Sequence, residues 1–154
     1  MKIAQQTLLV RQDKKVISSF RVSTAKNGPG ELKGSEKTPR GWHLIRAKIG
    51  DNFPLNTVFV KRRPTGEIFK PEMRITYPER DWILTRILWL SGLEIGKNRL
   101  GNVDTMQRFI YIHGSPDDVT MGIPGSRGCI RMRNADLINL YNQVPLFTKI
   151  MIEE

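Results

Sequence analysis

The sequence predicts a mostly-β single domain with one clear helix, and three observations carry that prediction. Short runs rich in Val, Ile, Leu, Phe and Thr recur along the chain, broken by 13 glycines and 9 prolines, which is how strands joined by turns read. Only one stretch, from Asn134 to Tyr141, spaces its apolar residues at a helical period. The 154 residues suit one domain, 1–154, able to bury roughly 70% of the surface that its unfolded chain exposes.

Each element follows in order. Residues 3–10 and 15–23 flank a polar Gln12, Asp13, Lys14 turn and read as a β-hairpin. Lys26 to Arg40 carries three glycines and two prolines and is a loop; it is either a wall or lid of a site or a plain surface loop. Gly41 to Ile49 alternates as a strand, with His43 and Ile45 on one face and Trp42 and Leu44 on the other; His43 reads as structural rather than catalytic. Thr57 to Lys61 is a short strand, and Pro64, Thr65 and Gly66 supply a turn into a second extended segment. Pro71 and Pro78 exclude a long helix between them.

Trp82 to Leu90 is a single apolar run, strand or buried helix by period alone, and its neighbours favour a strand. Trp89 is a core aromatic by default, with lining of the site as the alternative. Gly92, Gly96 and Gly101 punctuate a loop, after which Phe109, Ile110, Tyr111 and Ile112 form a buried strand that ends at His113. Asn134 caps the helix, Pro145 ends it, and Phe147 to Ile152 returns as the last strand.

Composition excludes several classes. A single cysteine cannot form an internal disulfide, and with His43 and His113 as the two histidines no Cys/His zinc site is expected. Neither metal nor cofactor is anticipated. The net charge of +10 invites nucleic acid as a partner, but Lys61, Arg62 and Arg63 are the longest basic run and no recognition-motif spacing is present. A solvated basic face, or one suited to polycarboxylate ligands, fits better, and no nucleic-acid partner is expected. No run reaches the length of a membrane span. The amino-terminal segment lacks the pattern of a secretory signal, so the expectation is a cytoplasmic protein, or a periplasmic one if a leader has been removed.

The chemistry-bearing stretch is FIYIHGSPDDVTMGIPGSRGCIRMRN. Cys129 lies between Gly128 and Ile130 in a loop loosened by Gly122, Pro124 and Gly125, sixteen residues after His113. A free thiol with pKa of about 8.5 is only a few per cent thiolate at neutral pH, and a neighbouring imidazole can take its proton. Cysteine plus histidine alone is a weak signal, and a buried structural thiol is the plainer reading.

The strings IHG and SRGCIRM at this separation resemble the signature of the L,D-transpeptidase catalytic-domain (YkuD-like) family: a histidine, a loop, then Ser/Thr-His-Gly-Cys with a hydrophobic residue and Asn or Arg after it. The segments VSTAKNG, TPRGWHLI and ILWLSGLE and the carboxy-terminal strand follow the family's order, so the resemblance covers nearly the whole chain. One position departs: Arg127 stands where the pattern has a second histidine. The resemblance implies a β-sandwich of mixed sheets, with one short helix after the catalytic cysteine and the cysteine loop at one edge.

It also implies a substrate, the peptidoglycan stem peptide or a muropeptide carrying it, in which an L-centre of a diamino acid is joined to D-alanine. Cys129 would attack the L-centre carbonyl, and His113, oriented by the carbonyl of Gly114, would hold the thiolate and protonate the leaving D-alanine. The amides of Gly128 and Cys129, with that of Arg127 as a third, are the candidate oxyanion donors. Arg127, Arg131 and Ser126 are candidates for substrate binding, Ser126 also shaping the loop; a structural salt bridge is the alternative for Arg131 and Arg133. Three functions stay open: a cytoplasmic L,D-carboxypeptidase trimming recycled tetrapeptides to tripeptides, which the absence of an export signal favours; an envelope L,D-transpeptidase forming cross-links; and a basic nucleic-acid or wall-polymer binding module. Oligomeric state is not legible.

Overall fold

The computed structural model describes residues 1–154. The hairpin pairs β1 (Thr7–Gln12) with β2 (Lys15–Arg21) as a separate two-stranded sheet. Its turn is Asp13–Lys14 alone, both with positive φ, since Gln12 already pairs with Lys15. The other seven strands form one sheet: β3 (Gly41–Ile49), β4 (Thr57–Val60), β5 (Arg63–Ile68), β6 (Ile83–Gly92), β7 (Tyr111–Gly114), β8 (Ile130–Met132) and β9 (Lys149–Ile152). Its order is β5-β4-β6-β3-β9, with β7 on β6 and β8 parallel to β7. The remaining pairings are antiparallel, so the sheet is mixed as expected.

Three local expectations are corrected. The chain has two α-helices, since a five-residue α1 (Glu72–Thr76) follows Pro71 ahead of α2 (Asn134–Gln143); proline fits the start of a helix because no intrahelical partner awaits its missing N–H. The turn between β4 and β5 is Lys61–Arg62, at φ of 48° and 67°, and Pro64, Thr65 and Gly66 lie inside β5, an edge strand where a missing N–H is tolerated. Asn134 does not cap α2: Arg133 occupies the cap position without a side-chain bond. The Asn134 side chain is buried instead, accepting from Thr85 Oγ1 at 2.7 Å and donating to Asn56 Oδ1 and the Ser115 carbonyl at 3.0 Å.

The two faces of the large sheet do different work. One face packs its Ile45, Leu88, Ile112, Ile130 and Met132 against Leu8 and Val22 from the hairpin side and Leu137 and Leu140 of α2, the main core. On the other face Phe59, Ile87 and Tyr111 form a smaller cluster that includes Cys129. Because side chains alternate along a strand, β7 sends Ile112 into the core and Tyr111 and His113 to the opposite side.

Candidate active site

Register brings the two chemical groups onto one face. β7 and β8 pair Ile112 with Ile130 and His113 with Arg131, so Cys129 continues the ladder opposite Tyr111. His113 and Cys129 are thus diagonal neighbours across the β7–β8 pair. The cysteine loop is held by the VSTAKNG segment. Ser23 and Arg131 exchange N–H···O bonds of 2.9 Å, the Gly125 and Ser126 amides donate to the Thr24 carbonyl, and the Lys26 amide donates to that of Ser126.

His113 is fully buried. Its Nδ1 lies 2.7 Å from the Gly114 carbonyl oxygen, which can only accept, so the proton sits on Nδ1 and Nε2 carries the lone pair. That Nε2 has no partner. Burial lowers the imidazole pKa, with Asp81 acting against it, and the ring is neutral at neutral pH. The carbonyl assigned to Gly114 from the resemblance is the one that orients the ring. Glycine is obligatory there, since a Cβ would stand 2.6 Å from the Leu84 carbonyl oxygen and 2.1 Å from Asn134 Oδ1.

The thiol is parked away from the imidazole. Sγ accepts from the Tyr111 amide at 3.3 Å and donates to the Phe109 carbonyl at 3.4 Å. Phe109 itself sits at φ 56°, a left-handed conformation that costs a residue with a side chain roughly 1–3 kcal/mol. Burial pushes the thiol up to about 12, against the lowering effect of the Tyr111 amide. Both shifts favour a neutral thiol beside a neutral imidazole at rest. Alkylation of Cys129 by iodoacetamide is expected to rise about tenfold per pH unit from 7 to 11, following the thiolate fraction; a plateau beginning between pH 6 and 9 would show a thiolate–imidazolium pair instead.

Gly128 turns the chain into the nucleophile at φ 129°. Its amide donates to Ser126 Oγ at 3.2 Å, whereas the amides of Arg127 and Cys129 donate to no protein acceptor. Ser126 Oγ in turn donates to the Cys129 carbonyl, which closes the loop on itself. Of the arginines, Arg127 is exposed and forms no salt bridge. Arg131 is engaged, donating to Asp81 Oδ1 at 2.8 Å and to the Gly125 carbonyl at 3.0 Å. Arg133 donates to the Asp117 carbonyl.

Sequence reasoning missed Arg108 and Asp81. Arg108 donates to the carbonyls of Gly30, Glu31 and Lys37 at 3.2, 2.8 and 2.5 Å, and Thr38 Oγ1 donates to the Gly128 carbonyl at 2.9 Å. These bonds tie the 26–40 loop to Arg108, just before β7, and to the cysteine loop at Gly128. Arg108 meets only carbonyls, and its charge acts on Cys129. The available signals were weak: an arginine abutting the apolar run, and an acid just before the strand that starts at Ile83. No group of three or more His, Cys, Asp and Glu side chains is arranged to hold a metal ion, and no helix is long and apolar enough to cross a membrane.

The family described as L,D-transpeptidase catalytic domain matches residues 2–152. No curated protein matches the sequence. Among solved structures, the chain is similar to an L,D-transpeptidase from Mycobacterium smegmatis, with TM-score 0.58, 20% identity, and 99% of this chain covering 56% of that one. L,D-transpeptidase 3 from Mycobacterium tuberculosis, solved with a faropenem-derived adduct, gives TM-score 0.59 at 16% identity, with 99% and 58% covered. An L,D-transpeptidase from Xylanimonas cellulosilytica gives 0.55 at 18%, with 99% and 57% covered. At these identities the likeness is one of fold, and the chain spans less than two thirds of each of these structures.

Proposed function

We propose, from the premise that the chain belongs to the L,D-transpeptidase catalytic-domain family, that it is a cysteine acyl-transfer enzyme acting on the L-centre–D-alanine bond of peptidoglycan stem peptides. The observation that carries this reading is the buried imidazole whose Nδ1 is tied to the Gly114 carbonyl at 2.7 Å and whose Nε2 is free, on the same face as Cys129. Rotation of the thiol away from the Phe109 carbonyl brings its proton to Nε2. The sulfur attacks the L-centre carbonyl, and the oxyanion is received by the amides of Cys129 and Arg127. The C–N bond then breaks with His113 returning the proton to the departing D-alanine amine, leaving a thioester on Cys129.

Hydrolysis is the proposed fate of that thioester, which makes the protein an L,D-carboxypeptidase. Arg62, Arg108, Arg127 and Arg131 surround or approach the site against Asp81, and such a field disfavours docking of an ammonium acceptor while leaving water unaffected. Action on soluble muropeptides inside the cell is part of the same proposal, since trimming by water requires no contact with the wall polymer. With a purified tetrapeptide, mass spectrometry is expected to find tripeptide and D-alanine, with little dimer even at millimolar amine acceptor. Predominant dimer would make cross-linking the activity, and neither product would remove the stem-peptide reading.

A further inference from the structure

Arg131 donates to Asp81 and the Gly125 carbonyl, so recognition of a substrate carboxylate falls to other cations. Arg46 and Arg62 are both half-buried and neither meets a carboxylate. Their guanidinium carbons lie 4.7 and 4.6 Å from the centroid of the same indole, that of Trp89. Arg62 also stands 4.8 Å from the Phe109 ring centroid and donates to Tyr111 Oη at 2.8 Å.

Two backbone irregularities put them there. The register of β3 against β6 shifts between Ile45 and Ala47, and such a bulge re-aims the residue it contains. The left-handed Lys61–Arg62 turn folds Arg62 back over the sheet. The platform is fixed in turn: Trp89 Nε1 donates to the Met106 carbonyl at 3.3 Å, and Trp89 pairs with Tyr111 across the ladder. Tyr111 is the residue whose amide holds Cys129 Sγ.

Two guanidinium groups stacked on one indole, with no acid paired to either, concentrate positive charge there. Each also keeps donors free, Arg46 bonding to no protein acceptor through its side chain and Arg62 through one nitrogen only. A carboxylate at the rim of the ring, accepting from the free donors of both, would balance one of the two charges. We infer that Arg46 and Arg62 form a carboxylate clamp beside the nucleophile, which holds a free carboxylate of the acyl-donor peptide. The inference rests on the stem-peptide reading above; within that class the carboxylate belongs either to the terminal D-alanine or to another stem residue.

Calorimetric titration of Cys129→Ser protein, which cannot turn over, tests this with the tetrapeptide, its C-terminal amide, and a peptide amidated at the glutamate carboxylate. One of the two amides is expected to bind about 10- to 100-fold more weakly than the acid, which identifies the carboxylate. In Arg62→Met, and separately in Arg46→Met, that acid-to-amide ratio is expected to collapse toward one, while Arg62→Lys keeps part of it. Equal binding of acid and both amides, or variants that weaken all peptides alike, would overturn the clamp. D-alanine release by the Cys129-intact protein separates the two levels: continued release with equal KM for acid and amides removes the clamp and leaves the activity. Absence of both release and binding removes the two together.

Discussion

Cys129→Ala is expected to lower D-alanine release by at least about four orders of magnitude, because the bond-forming atom is removed and water must attack unaided. The alanine variant also strips the Tyr111 amide of its sulfur acceptor, a loss of about 1–3 kcal/mol for a buried donor. Cys129→Ser isolates the chemistry from that side effect. Its hydroxyl can still accept from Tyr111 and donate to the Phe109 carbonyl, so native stability is expected together with absent turnover. Turnover of the serine and alanine variants within tenfold of the wild type would mean that another group is the nucleophile.

Gly114→Ala is expected to destabilise the protein by more than about 3 kcal/mol, among the largest effects open to a single added methyl. The new Cβ would meet the Leu84 carbonyl oxygen at 2.6 Å and Asn134 Oδ1 at 2.1 Å, and neither can retreat easily. Leu84 is in β6, and Asn134 is held by Thr85, Asn56 and Ser115. Relief by shifting the β7 backbone moves the carbonyl that fixes His113 Nδ1, so kcat should fall with stability. Urea denaturation reads the first effect and steady-state kinetics the second; an unchanged midpoint would show that the sheet opens there at no cost.

The legibility of this chain followed the reach of each interaction. Cys129, His113 and Gly114 were readable because a short motif contains them, and the strands were readable because alternation and apolar runs are local signals. Asn134 misled because Asn before an amphipathic run has the pattern of a cap, while its actual partners, Thr85 and Asn56, lie far away in sequence. The Lys61–Arg62 turn carries no glycine, so Pro64 and Gly66 drew the boundary toward themselves although both residues lie in an edge strand. The pairing of Arg131 with Asp81 and the stacking of Arg46 and Arg62 on Trp89 join separate strands and loops. Only the assembled sheet reveals those.

The ladder between β3 and β9, which sets Gly41 opposite Ile152 and His43 opposite Ile150, governs how the chain reaches its native state. β9 follows every other strand in sequence, so during synthesis β3 has one bare edge until residues 149–152 have been made. Closing so long a loop must come before its contacts repay it, which places folding on the slow side of single domains, in milliseconds to seconds. Through that interval the uncovered strand, with Trp42 still 44% exposed in the finished fold, is where a second nascent chain would pair most readily.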